Sequence, residues 1–143
     1  RRQTADGTRV DTKIVTVRTG SEPAIVDISG EVGGFVQGRG DGLLSVFVPH
    51  ATAGVVLIET GSGTESDLVD ALDRLLPRDQ RWRHRHGAEG HGADHVLPAF
   101  VAPSITIPVI SGRLVLGTWQ SVVLVDLNRD NPERSLRLSF LPG

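Results

Sequence analysis

The feature that most restricts the fold of this chain is a series of short apolar segments separated by turn residues. The clearest segment runs from Arg134 to Phe140, where polar and apolar side chains alternate from Ser135 onwards. Because successive side chains of a strand point to opposite faces, this alternation predicts a strand that is buried on one face. Similar patterns predict further strands at residues 13–17, 24–28, 43–48, 55–59, 104–110, 114–119 and 122–125. Ser111 and Gly112 form a two-residue turn between two of these segments, which predicts a hairpin.

Two other segments have the apolar spacing of a helix. Residues 29–36 contain three apolar side chains at helical intervals, although the glycines in this region lower its helix propensity. A second helix is predicted to begin at Thr64 and to end before Pro77. Its apolar stripe, which we expect to be buried, consists of Leu68, Ala71, Leu72, Leu75 and Leu76.

Together these segments predict an α+β domain with about eight or nine strands, mostly antiparallel in a sheet or sandwich, and two helices. Strands and helices do not alternate regularly, as they would around a parallel sheet. The 143 residues are enough for one domain with its own core, and no repeat is visible, so residues 1–143 are expected to form a single domain. About the first ten residues are polar, and we expect them to be flexible.

Composition narrows the classes of function. The formal net charge of −2 gives no basic surface for nucleic acid, so we expect no nucleic-acid partner. The chain has no cysteine, so a metal ion would have to be bound by nitrogen and oxygen atoms. No apolar run approaches the roughly 20 residues of a membrane span, and we therefore expect no membrane association. The absence of an apolar signal segment leads us to expect a cytoplasmic location.

Four of the five histidines lie within one short polar segment, from Trp82 to His95. They are His84, His86, His91 and His95. Imidazole is a common ligand of divalent transition metals, so this crowding predicts a metal site, with a solvated loop that binds nothing as the alternative. In a helix, His91 and His95 would share one face. Gly90 and Gly92 argue against a helix there, but a loop can also bring ligands together.

The fifth histidine, His50, lies between two predicted strands, where it is either a ligand or a histidine satisfied within the core. We expect the strand at 55–59 to lie beside the strand that leads into His50, which would bring Glu59 close to it. Glu59 could then be a metal ligand, a general base or a hydrogen-bond partner of an imidazole. Glu89 and Asp94 compete for these roles, and the alternative for each of these carboxylates is a solvated surface group, which is the more common state of an acidic residue.

The segment from Gly117 to Gln120 combines a small residue, a hydroxyl, a large ring and an amide at the end of a predicted strand. Trp119 could form one wall of a binding pocket, and Gln120 could fix a polar group of a ligand. The alternative is that Trp119 belongs to the core. The sequence contains no phosphate-binding loop, no dinucleotide fingerprint and no nucleophile elbow of a Ser-His-Asp enzyme.

Several of these segments resemble, in order, the motifs of the YjbQ family, which is also named UPF0047. The resemblance covers about Val15 to Phe140, and the order of the motifs makes it specific. The motifs are Val46-Phe-Val-Pro-His-Ala-Thr-Ala-Gly54 with Glu59, Arg83-His84, Gly90-His91 with Asp94-His95, Pro103-Ser104, and Gly112-Arg113-Leu114 with Gly117-Thr-Trp-Gln120.

The resemblance implies a compact α+β fold that assembles as a homotrimer, with sites near the subunit contacts. It also implies a metal-binding pocket lined by the histidines that match His50, His84 and His95. Members are often labelled secondary thiamine-phosphate synthase, after a reaction that joins a pyrimidine pyrophosphate to a thiazole phosphate and releases pyrophosphate. This chain departs from the family pattern at His91, where Asn is frequent, at the additional His86, and in the shortened Gly/Ser-rich stretch after Glu59.

Three functions are consistent with these residues. In the first, the chain is an enzyme of that family that acts on small phosphorylated substrates with a divalent metal, for which zinc is expected. The residues assigned to it are His50, His84, His95 and His91 for the metal, Glu59 and Thr52 for catalysis, and Thr118, Trp119 and Gln120 for the substrate. In the second, the same pocket holds a metal or a phosphorylated metabolite without turnover. In the third, the chain is a different metal-dependent hydrolase.

Overall fold

The computed structural model describes residues 9–143, which form eight strands and three α-helices. The expectation of a flexible N-terminus falls mainly on residues 1–8, which lie outside the described residues. The strands are β1 (Asp11–Arg18), β2 (Ala24–Asp27), β3 (Gly42–Phe47), β4 (Gly54–Ile58), β5 (Ser104–Ile110), β6 (Arg113–Leu114), β7 (Ser121–Asp126) and β8 (Glu133–Pro142). The helices are α1 (Ser29–Val36), α2 (Thr64–Leu75) and α3 (His91–Val96), and a single 3-10 turn, Leu97–Ala99, follows α3.

The strands form two antiparallel sheets. One sheet has five strands in the order β1-β8-β3-β5-β6, and the other has three in the order β2-β7-β4. Leu44 and Leu138 from the larger sheet share one buried core with Leu124 from the smaller sheet and with α1. This architecture confirms the predicted α+β class with mostly antiparallel sheets.

β7 is the central strand of the smaller sheet, and both of its faces are covered. Val122 and Leu124 point into the core shared by the two sheets, whereas Val123 and Val125 pack against α2 and α3. A strand that is buried on both faces has a continuous run of apolar residues instead of alternating polar and apolar residues. The polar side chains of β7 are therefore confined to its two ends, and the candidate residues lie around those ends.

The two predicted helices form as α1 and α2, and α3 is an additional helix. In α2, Leu72 is buried, but Leu75 is 52% exposed and Ala71 is also exposed. The expectation that the whole apolar stripe of this helix is buried is therefore wrong, because the stripe is wider than the surface that meets the sheet. Among residues 9–143, no helix is both long and apolar enough to cross a bilayer.

The predicted hairpin around Ser111 and Gly112 is confirmed, but its second strand is short. Both turn residues have positive φ angles, 52° and 73°, as the favoured two-residue hairpin turn requires. The strand predicted at 114–119 is wrong beyond Leu114, where β6 ends. The chain then forms a loop, in which the Gln120 side-chain oxygen accepts a hydrogen bond from the backbone N–H of Gly117 at 2.8 Å.

The expectation that the strand at 55–59 lies beside the strand at 43–48 is also wrong, because β3 and β4 belong to different sheets. The chain passes from one sheet to the other before Gly54, where a Cβ atom would collide with the backbone of Val101. β4 therefore separates two candidate residues that were expected to be neighbours, since His50 precedes the strand and Glu59 follows it.

Candidate functional site

Four histidine side chains from two neighbouring segments of the chain lie close together. His84 and His86 lie in the loop between α2 and α3, and His91 and His95 lie one turn apart on α3. One ring nitrogen from each of the four residues lies within 4.8 Å of those of the other three. The ring centroids of His84 and His95 are 4.0 Å apart, and those of His91 and His95 are 4.6 Å apart. We refer to these four residues as the histidine cluster.

α3 forms in spite of the two glycines that argued against a helix, and both glycines have a structural reason. Gly90 precedes the helix with a φ angle of 83°, in the left-handed region that side chains disfavour. Gly92 lies so close to Trp82 and to the backbone carbonyl of His84 that a Cβ atom would collide with both. The glycines therefore allow the loop that carries His84 to pack directly against α3.

The surroundings of His84 and His95 favour uncharged imidazole rings. Desolvation, followed by the neighbouring rings of His86 and His91, lowers the pKa of His84. Burial, followed by the other three rings, lowers the pKa of His95. Since a metal ion binds the neutral imidazole, both effects favour cation binding near neutral pH.

His91 is the most enclosed member of the cluster, with 8% of its surface exposed. Its Nδ1 atom lies 2.9 Å from Oδ2 of Asp130 and 3.4 Å from Nδ2 of Asn128. Its Nε2 atom lies 2.9 Å from Nε2 of His95. Sequence reasoning missed Asp130 and Asn128. The available signal was the spacing of Asp126, Asn128 and Asp130, which place a carboxyl or amide side chain at every second position from the last residue of β7.

A buried ion pair near this loop was also missed. Arg134 and Asp126 are 2% and 0% exposed, and they join β8 of the larger sheet to β7 of the smaller sheet. Arg134 donates from Nε to Oδ2 of Asp126 at 2.7 Å and from Nη2 to Oδ1 at 2.9 Å. Its Nη2 also donates to the hydroxyl of Thr52 at 2.7 Å. The predicted catalytic residue Thr52 is therefore buried, and its hydroxyl oxygen accepts a hydrogen bond within this network.

His50 lies beside the ion pair rather than in the histidine cluster. Its Nε2 accepts a hydrogen bond from the backbone N–H of Ser135 at 2.9 Å. Burial, followed by the positive charge of Arg134, lowers the pKa of His50. The ring is therefore neutral at neutral pH, with its proton on Nδ1. Among residues 9–143 of one chain, His50 does not join the group of side chains that could share one ion.

The remaining predicted residues, which lie at the opposite end of β7, are Glu59, Thr118, Trp119 and Gln120. Ile58, which precedes Glu59, pairs with Ser121, the first residue of β7. The partners of the cluster instead follow Asp126, its last residue. At about 3.4 Å per residue, Ser121 and Asp126 at the two ends of the strand are about 17 Å apart. Trp119 is 73% exposed, so the alternative that it belongs to the core is wrong.

The two other carboxylates of the histidine segment have different surroundings. Glu89 is exposed. Asp94 is 2% exposed and forms an ion pair with Arg78, which lies in the segment after α2. Burial raises the pKa of Asp94, and the Arg78 guanidinium opposes this effect. Asp94 therefore fixes α3 to the rest of the chain, whereas Glu89 is open to solvent.

The donor atoms of the cluster suit a transition-metal ion. Zinc binds imidazole nitrogen at about 2.0–2.1 Å, so two nitrogens on one tetrahedral ion are about 3.4 Å apart. Atoms that all lie within 4.8 Å of one another reach this spacing by modest side-chain rotation. Four nitrogen ligands favour zinc, copper or nickel over magnesium and calcium, which prefer oxygen. A cavity of about 180 Å³ lies beside the cluster and is lined by residues 79–80, 84–85 and 87–92.

The sequence matches a family model described as UPF0047 protein YjbQ-like over residues 13–143. It is 62% identical over 134 residues to the UPF0047 protein Rv2556c of Mycobacterium tuberculosis (strain H37Rv), with 94% of this chain and 100% of that protein covered. It is 31% identical over 122 residues to the UPF0047 protein YugU of Bacillus subtilis (strain 168), with 81% of this chain and 89% of that protein covered.

Solved structures share the fold. A YbjQ-like protein of unknown function from Sulfolobus solfataricus P2 has a TM-score of 0.87 at 27% identity, with 95% of this chain and 99% of that chain covered. A hypothetical protein from Aeropyrum pernix K1 has a TM-score of 0.82 at 32% identity, with 93% of this chain and 99% of that chain covered. Because a fold can host many functions, the activity has to be inferred from the site.

Proposed function

The chain belongs to the UPF0047 YjbQ-like family, and we propose that it is a metal-binding member that acts on small phosphorylated molecules. Zinc is the expected ion. The proposed reaction is a transfer of the thiamine-phosphate synthase type, in which a pyrimidine pyrophosphate is joined to a thiazole phosphate and pyrophosphate leaves. The observation that carries the proposal is the convergence of four imidazole rings within one chain.

The histidine cluster would hold the ion, and the adjacent cavity would receive the anionic part of the substrate. A bound divalent ion would supply positive charge that stabilises a phosphate or pyrophosphate group. The neutral rings of His84 and His95 would bind it without adding charge of their own, so its positive charge would remain available to the substrate. Arg85 lines the same cavity and offers a guanidinium group, which is well suited to phosphate oxygens.

His50 and Thr52 would act as hydrogen-bond donors near the site. The Thr52 oxygen already accepts a hydrogen bond from Arg134, which leaves its own proton for a further partner. The Nε2 atom of His50 already accepts a hydrogen bond from Ser135, which leaves the proton on Nδ1. For His50 to serve as the predicted metal ligand through Nε2, this hydrogen bond would first have to break.

A second copy of the chain would be needed to complete the site. The cavity of about 180 Å³ is smaller than the roughly 300–1,000 Å³ of pockets that enclose drug-sized ligands. It therefore suits a phosphate group better than two ring-containing substrates. The predicted roles of Glu59, Thr118, Trp119 and Gln120 would require a neighbouring subunit, since none of these residues joins the histidine cluster of its own chain among residues 9–143.

We therefore include the homotrimer in the proposal. The outer face of the larger sheet supports it, because Ile14, Leu43 and Leu141 are 56%, 45% and 46% exposed there. Leu43 and Leu141 are cross-strand neighbours, so their side chains form one apolar patch. Exposed apolar patches of this kind mark protein–protein contacts. Sedimentation equilibrium should give three times the mass of the chain, and a mass that stays at one chain at every concentration would contradict the trimer.

The metal site is tested by elemental analysis and zinc titration of untagged protein. We expect high-affinity binding in the wild type and its loss in the double variant His84→Gln/His95→Gln. Trp119→Ala is a matched control for metal binding, because Trp119 is assigned to the substrate and its removal leaves all four proposed metal-binding histidines in place. Equal zinc affinity in the wild type and the double variant would contradict the site.

Turnover is tested with the two phosphorylated substrates and zinc-loaded protein. Product that depends on His84 and His95 would support the transfer reaction. Tight ligand binding without any product would contradict it and favour the second function, a protein that holds a metal or a phosphorylated metabolite. The small cavity is the observation that favours this second candidate. Release of phosphate from simple esters would instead indicate a metal-dependent hydrolase.

A further inference from the structure

We propose that Asp130 is a positioning residue, which holds the ring of His91 as the Nδ1–H tautomer and so leaves Nε2 as the metal-binding atom. The inference rests on the proposed metal site and extends that site to the loop between β7 and β8. Carboxylates that accept a hydrogen bond from the second nitrogen of a metal-binding histidine are a common way of orienting the ring.

The proton assignment follows from the two partners of Nδ1 of His91. Oδ2 of Asp130 lies 2.9 Å away and, as a carboxylate oxygen, accepts a hydrogen bond. The amide nitrogen of Asn128 lies 3.4 Å away and can only donate. One ring nitrogen cannot satisfy both partners. The contact with Asp130 is shorter, and hydrogen bonds to a charged acceptor are roughly twice as strong as neutral ones. In the neutral ring of His91, the proton therefore lies on Nδ1.

The Asp130 carboxylate is held in place by its own loop. The backbone N–H of Asn128 donates to Oδ1 of Asp126 at 3.0 Å, and the backbone N–H of Asp130 donates to Oδ1 of Asn128 at 2.5 Å. Asp126 is fixed in turn by the buried guanidinium of Arg134. Oδ2 of Asp130 also accepts a hydrogen bond from the backbone N–H of Ala88 at 3.1 Å. A carboxylate that is restrained in this way needs little rearrangement to orient His91.

The same assignment determines the proton of His95. Because Nε2 of His91 carries a lone pair, the 2.9 Å contact between the two Nε2 atoms requires His95 to donate. His95 is therefore the Nε2–H tautomer in the metal-free protein. For His95 to hold an ion through Nε2, its proton would have to lie on Nδ1 instead.

The tautomers can be read directly from nitrogen-15 NMR of the metal-free protein. We expect His91 as Nδ1–H and His95 as Nε2–H in the wild type. In Asp130→Ala, His91 loses its acceptor, and we expect its population to shift towards Nε2–H. An Nε2–H His91 in the wild type, or an unchanged tautomer in Asp130→Ala, would overturn the proposal. This readout needs no metal, so it decides the inference even if zinc binding fails in the wild type and the proposed function is lost.

Competitive zinc titration provides the second test. Asp130→Asn removes the negative charge but keeps an oxygen that can accept from Ala88, so the loop remains closed. We expect its zinc affinity to fall by about 10–100-fold. Asp79→Asn is the matched control, because Asp79 lines the same cavity but is paired with Arg81 at 2.9 Å. An affinity in Asp130→Asn as high as in Asp79→Asn would show that Asp130 does not position the ligand.

Discussion

The two ends of β7 carry polar residues in very different surroundings. After Asp126, at one end, a buried ion pair, an amide and a carboxylate form a connected set of hydrogen bonds that reaches the histidine cluster. At the other end, the hydroxyl of Ser121 lies 3.2 Å from that of Thr60, and the neighbouring Glu59 and Trp119 are exposed. The sequence predicted functional residues at both ends. Within one chain, only those at the first end, Thr52 and His91, are linked by a continuous set of polar contacts.

Burial and direct hydrogen bonding, more than residue type, therefore determine whether a change at one polar group affects another. Buried hydrogen-bonded charges stabilise or destabilise their neighbours strongly, because the surrounding dielectric is low. Exposed groups interact weakly and can be changed one at a time. We therefore expect perturbations at the cluster end of β7 to have larger effects than matched perturbations elsewhere.

The largest effect is expected from Asp126→Ala. It leaves the Arg134 guanidinium buried without its counterion, which should lower the free energy of unfolding by about 3–5 kcal/mol in urea denaturation. Thr60→Val, at the other end of β7, removes one partly buried hydroxyl and should cost about 1 kcal/mol. The double variant Asp126→Leu/Arg134→Met should recover most of the loss. Equal losses of unfolding free energy in Asp126→Ala and Thr60→Val would show that the two ends of β7 do not differ in this way.

A large stabilisation is also expected from zinc, provided that it binds the cluster. An ion that binds only the folded state at 100 times its dissociation constant adds about 2.7 kcal/mol to the free energy of unfolding. Thermal unfolding with and without zinc should show this shift in the wild type and in Trp119→Ala. The shift should disappear in His84→Gln/His95→Gln. A shift of equal size in the double variant would place the zinc elsewhere on the protein.

A smaller effect is expected from Gly92→Ala. The new Cβ atom would collide with Trp82 and with the carbonyl of His84, so the histidine loop would have to move away from α3. We expect a loss of about 1–3 kcal/mol in urea denaturation and weaker zinc binding. Gly34, in α1, faces open space, so Gly34→Ala should be neutral or stabilising by up to about 1 kcal/mol. A neutral Gly92→Ala would contradict the close approach.

The smallest effect concerns the pH dependence contributed by His50. Its pKa is lowered in the folded state, so the unfolded chain binds more protons below the ordinary value of about 6.5. The free energy of unfolding should therefore fall as the pH drops from about 6.5 towards the folded pKa, by at most about 1.4 kcal/mol per pH unit for one proton.

The control for this pH effect is His50→Gln, measured in the presence of a chelator. The glutamine oxygen can still accept from the backbone N–H of Ser135 but cannot be protonated. Its stability should fall less steeply than that of the wild type between pH 6.5 and 5. Parallel pH profiles for the two proteins would show that His50 is equally easy to protonate in both states.

Most of the local structure could be predicted from the sequence. The alternation from Ser135 to Phe140, the apolar run at 122–125 and the spacing of Leu68 and Leu72 reflect the periods of strands and helices, which depend on the backbone alone. The crowding of histidines between Trp82 and His95 likewise predicted which rings could meet. Gly90 and Gly92 misled the prediction for α3, since their role is the close approach of another segment rather than the disruption of the helix.

The order of residues along the chain therefore defines local features: the strand and helix periods and the histidines that are close in sequence. Packing of the whole chain places β3 and β4 in different sheets, keeps Glu59 and Trp119 out of the histidine cluster of their own chain, and brings Asp130 to His91. Strand partners, ion pairs and buried hydrogen bonds join residues that are distant in sequence. Which residues become partners depends on how the whole core is packed, and this cannot be inferred from any short segment of the sequence.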